Sequence, residues 1–230
     1  MPQAPKDLAQ TRGLRTTWGS PIFRDFVPDQ DAAIVERVRA AGAILVGKTN
    51  VPEFGLGSQT FNEVFGPTLN PWNTSKTAGG SSGGAAAALA ARMLPVADGS
   101  DMMGSLRNPA AFCNVYGFRP SRGRVPNTLA PDAFSQQLAT DGPMGRSVAD
   151  LAMLLATQAG YDARAPLSLG DDPSVFAQPL ERDFSGARIG WLGDLGGHLP
   201  FEPGVLELCR NALKVFETLG CRADEARVDF

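Results

Sequence analysis

Two short runs combine serine and glycine in a way that could do chemistry. The first is GGSSGG at residues 79–84, which runs directly into GAAAALAARM; the second is GSDMMGSLRNPAAF at residues 99–112. Four glycines around Ser81 and Ser82 are costly in backbone entropy unless the loop needs unusual dihedrals or a close approach. Glycine-flanked amides at a helix N-terminus can bind an anion or a developing oxyanion. Ser105 sits in the second turn, just before a predicted helix. A serine nucleophile needs a base, and the single histidine, His198 in GDLGGHLP, reads as a surface-loop residue. Residues 80–84 fit G-x-S-x-G centred on Ser82, and Asp194 and His198 follow in the order of the α/β-hydrolases. A nucleophile elbow, however, follows a strand directly, and the preceding NPWNTSKTAG is polar and turn-rich. Two serines without a usable histidine leave lysine as the base. It can serve only when neutral, and burial with hydrogen bonding to the free amine lowers its pKa towards that state.

A second run competes for attention. GAILVGKT at residues 42–49 matches the phosphate-loop pattern G-x-x-x-x-G-K-[ST]. That loop needs a strand before the first glycine and a helix opening at Lys-Thr. Here a helical pattern precedes Gly42, AILV has the branching of a buried strand, and Pro52 biases the residue before it away from helix. The match is a helix, a glycine turn and a strand, and Lys48 is not expected in a phosphate nest.

The elements that must position the serines follow from periodicity. Residues 29–41 read as a helix capped by Asp29 or Asp31, with Ile34, Val35, Val38 and Ala41 as its apolar stripe and Gly42 closing it. GAAAALAARM is a buried helix, LPVADGSD a strand or extended segment, and VYGFRP a further strand. SVADLAMLLATQAG is a helix with Ser147 and Asp150 as a capping-box variant and Gly160 at its end. ARIGWL reads as a buried strand, and EPGVLELCRNALKVFETLG as a last amphipathic helix. EARVDF reads as a strand in mid-flow. Helices alternating with buried strands predict an α/β domain, a mixed sheet covered by helices.

Composition narrows the function classes. With 21 Lys and Arg against 24 Asp and Glu, the chain of 230 residues carries a formal charge of −3. Nothing in that balance attracts nucleic acid or an anionic membrane. Cys113, Cys209 and Cys221 have neither disulfide nor metal-ligand spacing, and no metal site is expected. The N-terminal MPQAPKDLAQTRG lacks the apolar core of a signal peptide. The longest apolar run is too short to span a bilayer, so a cytoplasmic location is expected.

GGSSGG, GSDMMGSLRNPAAF and GFRPSRGRVP, in this order and spacing, resemble the amidase signature family. The resemblance extends through AGAILVGKTNVPEFGLGSQTFNEVFG, LNPWN and TDGPMGRSVADLAMLL. It implies a Ser–cis-Ser–Lys hydrolase without metal or organic cofactor. By position, Ser105 matches the nucleophile, Ser81 the bridging serine on a cis peptide, and Lys6 the base. The amides of Met102, Met103 and Gly104 match the oxyanion loop, with Ser82 and Arg107 as its supports. Met103 stands where the family carries glycine, which would strain the turn if φ were positive there.

The resemblance implies cleavage of a carboxamide in a small-molecule substrate. The alternatives are an inactive remnant and a glutamine-hydrolysing amidotransferase A-type subunit. Starting almost at the lysine and ending at EARVDF, the chain reads as one domain over residues 1–230 truncated at both ends. The expectation is therefore a partial fold lacking the N-terminal region and most of the C-terminal half. Its uncovered faces would allow a homo-oligomer.

Overall fold

The N-terminal residues, which the sequence leaves without a partner, are paired. In the computed structural model, which describes residues 1–129 and 138–228, strand β1 (Pro2–Gln3) lies parallel to β2 (Ile44–Leu45). Lys6 continues this contact as a parallel bridge to Thr49. Helix α1 (Ala33–Ala40) connects the two strands and buries Ala33, Ile34, Val35 and Val38. Its first turn lacks the expected aspartate cap. Asp31 instead accepts from the Arg12 amide at 2.6 Å and pairs with Arg39 Nε at 2.9 Å.

Residues 43–46 are only half buried. Leu45 and Ala43 pack beside Val38, Val96 and Leu154, whereas Ile44 is 66% and Val46 60% exposed. Successive side chains of a strand point to opposite faces, and only one face of this short strand meets the core. The expectation of a strand buried on both faces is corrected. Lys48 lies in a cage of acceptors. It donates to the Ala9 carbonyl, to Thr11 Oγ1 at 2.8 Å and to Thr16 Oγ1 at 3.0 Å, with Asp7 at 3.8 Å. A phosphate needs donors, and these groups repel it.

Strands β3 (Leu69–Asn70) and β4 (Asn73–Thr77) form an antiparallel pair that leads into the first serine loop. Helix α2 (Gly83–Ala90) follows that loop. Its small side chains let it come close to its neighbours. A Cβ on Gly84 would lie 2.3 Å from the Asn50 nitrogen. Strand β5 (Val96–Asp101), helix α3 (Arg107–Cys113), strand β6 (Tyr116–Gly117) and strand β7 (Thr140–Gly145) come next. They build an antiparallel sheet in the order β5-β7-β6. Helix α4 (Val148–Gln158) closes the unit with Ser147 accepting from the Asp150 amide at 3.1 Å, as the capping pattern predicts. The main core gathers Ala85, Ala86, Leu89, Ala97, Leu106 and Met144 between α2, α3 and the sheet.

These elements make up the unit Met1–Gln178, and a second unit covers Pro179–Phe230. In the second, β8 (Arg188–Trp191) and β9 (Arg222–Glu225) are parallel partners, with α5 (Val205–Thr218) between them in sequence. Neither β8 nor α5 contributes a buried residue, so the expected buried strand at residues 187–192 is corrected. The strand expected at residues 225–230 lies earlier, and Asp229 and Phe230 fall outside the described residues. The mixed α/β architecture runs from Pro2 to Glu225. The expectation of a partial fold missed that the first segment has β2 and Thr49 as partners, and the last has β8.

Two outcomes test this architecture. Gly84→Ala forces a methyl into the Asn50 backbone and is expected to lower stability by about 1–3 kcal/mol, the usual cost of overpacking, read by urea denaturation. Millimolar ATP is expected to leave the melting temperature unchanged, because a nucleotide at 100 times its dissociation constant would add about 2.7 kcal/mol.

Candidate active site

The three residues matched to a triad come from separate segments that β5 and α2 draw together. Lys6 follows β1, Ser81 lies one residue ahead of the Ser82 N-cap of α2, and Ser105 one residue ahead of the Leu106 N-cap of α3. Lys6 is 2% exposed. Its Nζ lies 2.8 Å from Ser81 Oγ, 2.8 Å from Ser82 Oγ and 2.9 Å from Ser100 Oγ. Among the described residues, no carboxylate forms an ion pair with it. Its backbone amide donates to Asp98 Oδ2 at 2.9 Å, which fixes the segment along β5.

Burial pushes the Lys6 ammonium down. Asp141, Asp98 and Asp101 pull it back, and the outcome is a pKa of about 7 against an ordinary 10.5. A neutral amine has two protons to donate and one lone pair to accept. The Ser100 carbonyl also lies 3.5 Å from Nζ, so these neighbours can take both protons while one hydroxyl donates into the lone pair.

The Gly80–Ser81 peptide is cis. The two serine loops are joined by the Ser82 amide, which donates to the Ser105 carbonyl at 3.3 Å. Among the described residues, no hydrogen bond connects the Ser81 and Ser105 hydroxyls. Both residues line one cavity of about 500 Å³, together with Lys6, Met102, Asp98 and Asp141. Trp18, Phe23 and Phe54 form its apolar side. Phe23 packs edge-on against Trp18 at 4.5 Å and Phe54 at 6.2 Å between ring centroids.

Residues 102–106 are organised by a carboxylate that the sequence reading did not single out. Asp101, fully buried, accepts from the Gly104 amide at 2.7 Å and the Leu106 amide at 3.1 Å. It also takes both arms of Arg107, at 2.9 and 3.0 Å. Burial pushes the Asp101 carboxyl up, but Arg107 and the two amides outweigh it and hold it at about 2. The positive φ of this turn falls on Gly104, at 118°, so Met103 is spared the strain and its side chain stands 85% exposed. Since the Gly104 amide is occupied by Asp101, the amides left open are those of Met102, Met103 and Ser105.

Ser82 supports Lys6 as well as the loop, since its Oγ lies 3.3 Å from both the nitrogen and the carbonyl of Ser100. The signal for Asp98, Ser100 and Asp101 was present in VADGSD. Acids on a strand flanked by valine and leucine must find buried partners. The aromatic wall had no comparable signal, because it joins residues distant along the chain. His198 lies in the second unit among Trp191, Asp194 and Arg210, and no group of three or more His, Cys, Asp or Glu side chains arranged to hold a metal occurs among the described residues.

A mixed α/β unit thus places a buried lysine against the hydroxyls of Ser81, Ser82 and Ser100. The family model described as Amidase matches residues 1–229, and the chain belongs to that family. It is 47% identical over 223 residues to the A-type subunit of the Glutamyl-tRNA(Gln) amidotransferase of Thermus thermophilus, covering 96% of this chain and 46% of that one. It is 42% identical to the Acylamidase of Rhodococcus erythropolis, covering 96% and 46%. The crystal structure of the corresponding Glutamyl-tRNA(Gln) amidotransferase chain from Thermotoga maritima superposes with a TM-score of 0.90 at 36% identity, over 99% of this chain and 50% of that one.

The chain spans about half the length of the curated relatives it matches. The expectation of a fragment truncated at both ends is corrected. The family match extends over residues 1–229 and the shared fold over 99% of the chain, so the likeness neither begins at the lysine nor stops short of the last elements. No helix of the described residues is long and apolar enough to cross a membrane.

Replacing Asp101 tests the loop. Asp101→Asn removes the charge opposite Arg107 and is expected to destabilise by about 1–3 kcal/mol, the cost of a buried charge-assisted bond. The carboxyl is held below its ordinary 3.8 at about 2. Its stabilisation is therefore complete above pH 3.8 and lost as pH falls through 2. The difference between wild type and variant should shrink over that interval in acid denaturation curves.

Proposed function

We propose that this chain hydrolyses a carboxamide through an acyl-enzyme on Ser105, in the manner of a glutamine-hydrolysing amidotransferase A-type subunit. The observation that carries the chemistry is the buried, ion-pair-free Lys6 amine 2.8 Å from Ser81 Oγ. Neutral Lys6 takes the Ser81 proton while Ser81 takes that of Ser105, whose Oγ bonds to the amide carbon. The amides of Met102 and Met103 face the developing oxyanion. As the C–N bond breaks, the proton returns through Ser81 to the leaving nitrogen. Water then attacks the ester, its proton passing along the same relay, and releases the acid and Ser105. Arg107 and Ser82 act by holding the loop and the lysine.

The choice of glutamine over other amides rests on likeness. Proteins named as the A-type chain of the amidotransferase recur among the most similar sequences, which reverses the order in which the two readings stood on sequence alone. The ammonia released would pass to a partner protein. A second reading, a stand-alone acylamidase, is favoured by the aromatic side of the cavity and by the Rhodococcus relative.

Ammonia release from glutamine and amine release from an aryl amide, measured side by side, separate the two. Ser105→Ala is expected to abolish turnover and labelling by an active-site serine probe, with little change in melting temperature. Because the free amine of Lys6 is the base, kcat/KM is expected to rise with pH through about 7. A profile flat from pH 6 to pH 8, measured about a unit on either side of neutrality, or labelling that survives Ser105→Ala, would overturn the mechanism.

A further inference from the structure

The β5–β7 register places Ser100 opposite Asp141 and Asp98 opposite Pro143. Directly opposed residues of an antiparallel pair project from the same face, as do residues two apart on one strand. Asp98, Ser100 and Asp141 therefore share the face on which Lys6 lies, since Ser100 Oγ is 2.9 Å from Lys6 Nζ. Asp98 is engaged by the Lys6 amide. Asp101, on the other face of β5, is engaged by Arg107 and the loop amides. The Asp141 side chain has no hydrogen bond among the described residues and lines the cavity with Lys6, Ser81 and Ser105. Asp141 is partly buried, and its carboxylate opens to the cavity that Lys6 borders.

We propose that Asp141 acts on the base through space: from the face of the sheet on which Lys6 lies, its charge state is coupled to that of Lys6, and so decides when the lysine is free to act. This rests on the reading of Lys6 as the base. In one charge state Lys6 is an ammonium and Asp141 a carboxylate; in the other Lys6 is the free amine and Asp141 a carboxylic acid. Only the second presents a base to Ser81. The charged groups bearing on the pair are Asp98 and Asp101 from β5, and Lys48, which acts on Asp98. Asp98 raises the proton affinity of both members.

Electrostatics agree with this geometry. Among the carboxylates, Asp141 acts most strongly on Lys6. Burial, then Asp98, pushes the Asp141 carboxyl up to about 7 against the pull of Lys6. Both groups thus lose protons over one interval, and groups coupled in this way titrate as a pair.

The sign of the test follows. A carboxylate at position 141 raises the proton affinity of Lys6, so removing its charge must make Lys6 easier to deprotonate. In Asp141→Asn, the acid limb of kcat/KM is expected to move to lower pH. The ratio of kcat/KM at pH 6 to that at pH 8 should rise about threefold or more, equivalent to about half a pH unit. Asp141→Glu should restore the wild-type profile.

A second readout needs no turnover. The side-chain nitrogen of Lys6, followed by NMR in the 15N-lysine-labelled full chain, should titrate at lower pH in Asp141→Asn than in wild type. If the wild type hydrolyses no amide, the proposed function fails while this titration still decides the pairing. Should Asp141→Asn not fold, a wild-type Lys6 titration in two coupled steps supports the pair, and a single step overturns it. An unchanged midpoint in folded Asp141→Asn overturns it as well.

Discussion

Everything at the site depends on keeping one amine out of water without bonding it to a carboxylate. A buried ammonium without a charged partner is expensive, and the group relieves the cost by losing its proton. The fold around Lys6 is arranged for that result. Ser81, Ser82 and Ser100 contact Nζ with hydroxyls, which can accept from or donate to a neutral amine. The nearest acids are oriented by other groups or lie across the sheet. A carboxylate bonded directly to Nζ would have stabilised the ammonium and removed the base.

Strand β5 meets this constraint through its alternation. One face carries Asp98, which holds the Lys6 backbone, and Ser100, which holds its amine. The opposite face carries Asp101, which ties down residues 104–107. Between them stands Gly99, where a Cβ would lie 2.6 Å from Leu106 Cδ2 and 2.7 Å from Ser82 Oγ. A side chain there would displace the hydroxyl that bridges β5 and the lysine. One six-residue strand thus sets both Lys6 and the loop that carries Ser105, so the distances between them are fixed by the sheet.

Much of this was legible in the chain, for reasons that differ from residue to residue. The serine loops stood out because glycine on both sides of a serine, running into a helix of alanines, has few structural uses. Ser147 and Gly160 marked the ends of α4 through local hydrogen bonding and backbone shape, which need no knowledge of tertiary contacts. Asp31 failed as a helix cap because Arg12 and Arg39 compete for its carboxylate, and neither contact is local. The exposure of Ile44 and Val46 was hidden because four apolar residues in a row look the same whether one face or two will be covered. Asp141 was invisible as a partner of Lys6, since only the strand register brings the two together. The pairing of the end strands was hidden for a related reason: β1 and β9 each have a parallel partner far along the chain, which no local pattern reveals.

The two buried lysines show how position separates structure from chemistry. Lys48 sits among the Ala9 carbonyl, two threonine hydroxyls and Asp7, and burial lowers its pKa to about 8 while Asp7 resists. Its amine is spent on bracing the segment that runs from Lys6 to Trp18, and it does not border the cavity. Lys6 meets three hydroxyls, with the Ser100 carbonyl farther off at 3.5 Å and no carboxylate bonded to it, and one of those hydroxyls opens to the same space as Ser105. The residue that completed the phosphate-loop lookalike is therefore a brace. What makes Lys6 the candidate base is a bond to a serine that lines the cavity with Ser105, together with the absence, among the described residues, of an ion pair that would keep its proton in place.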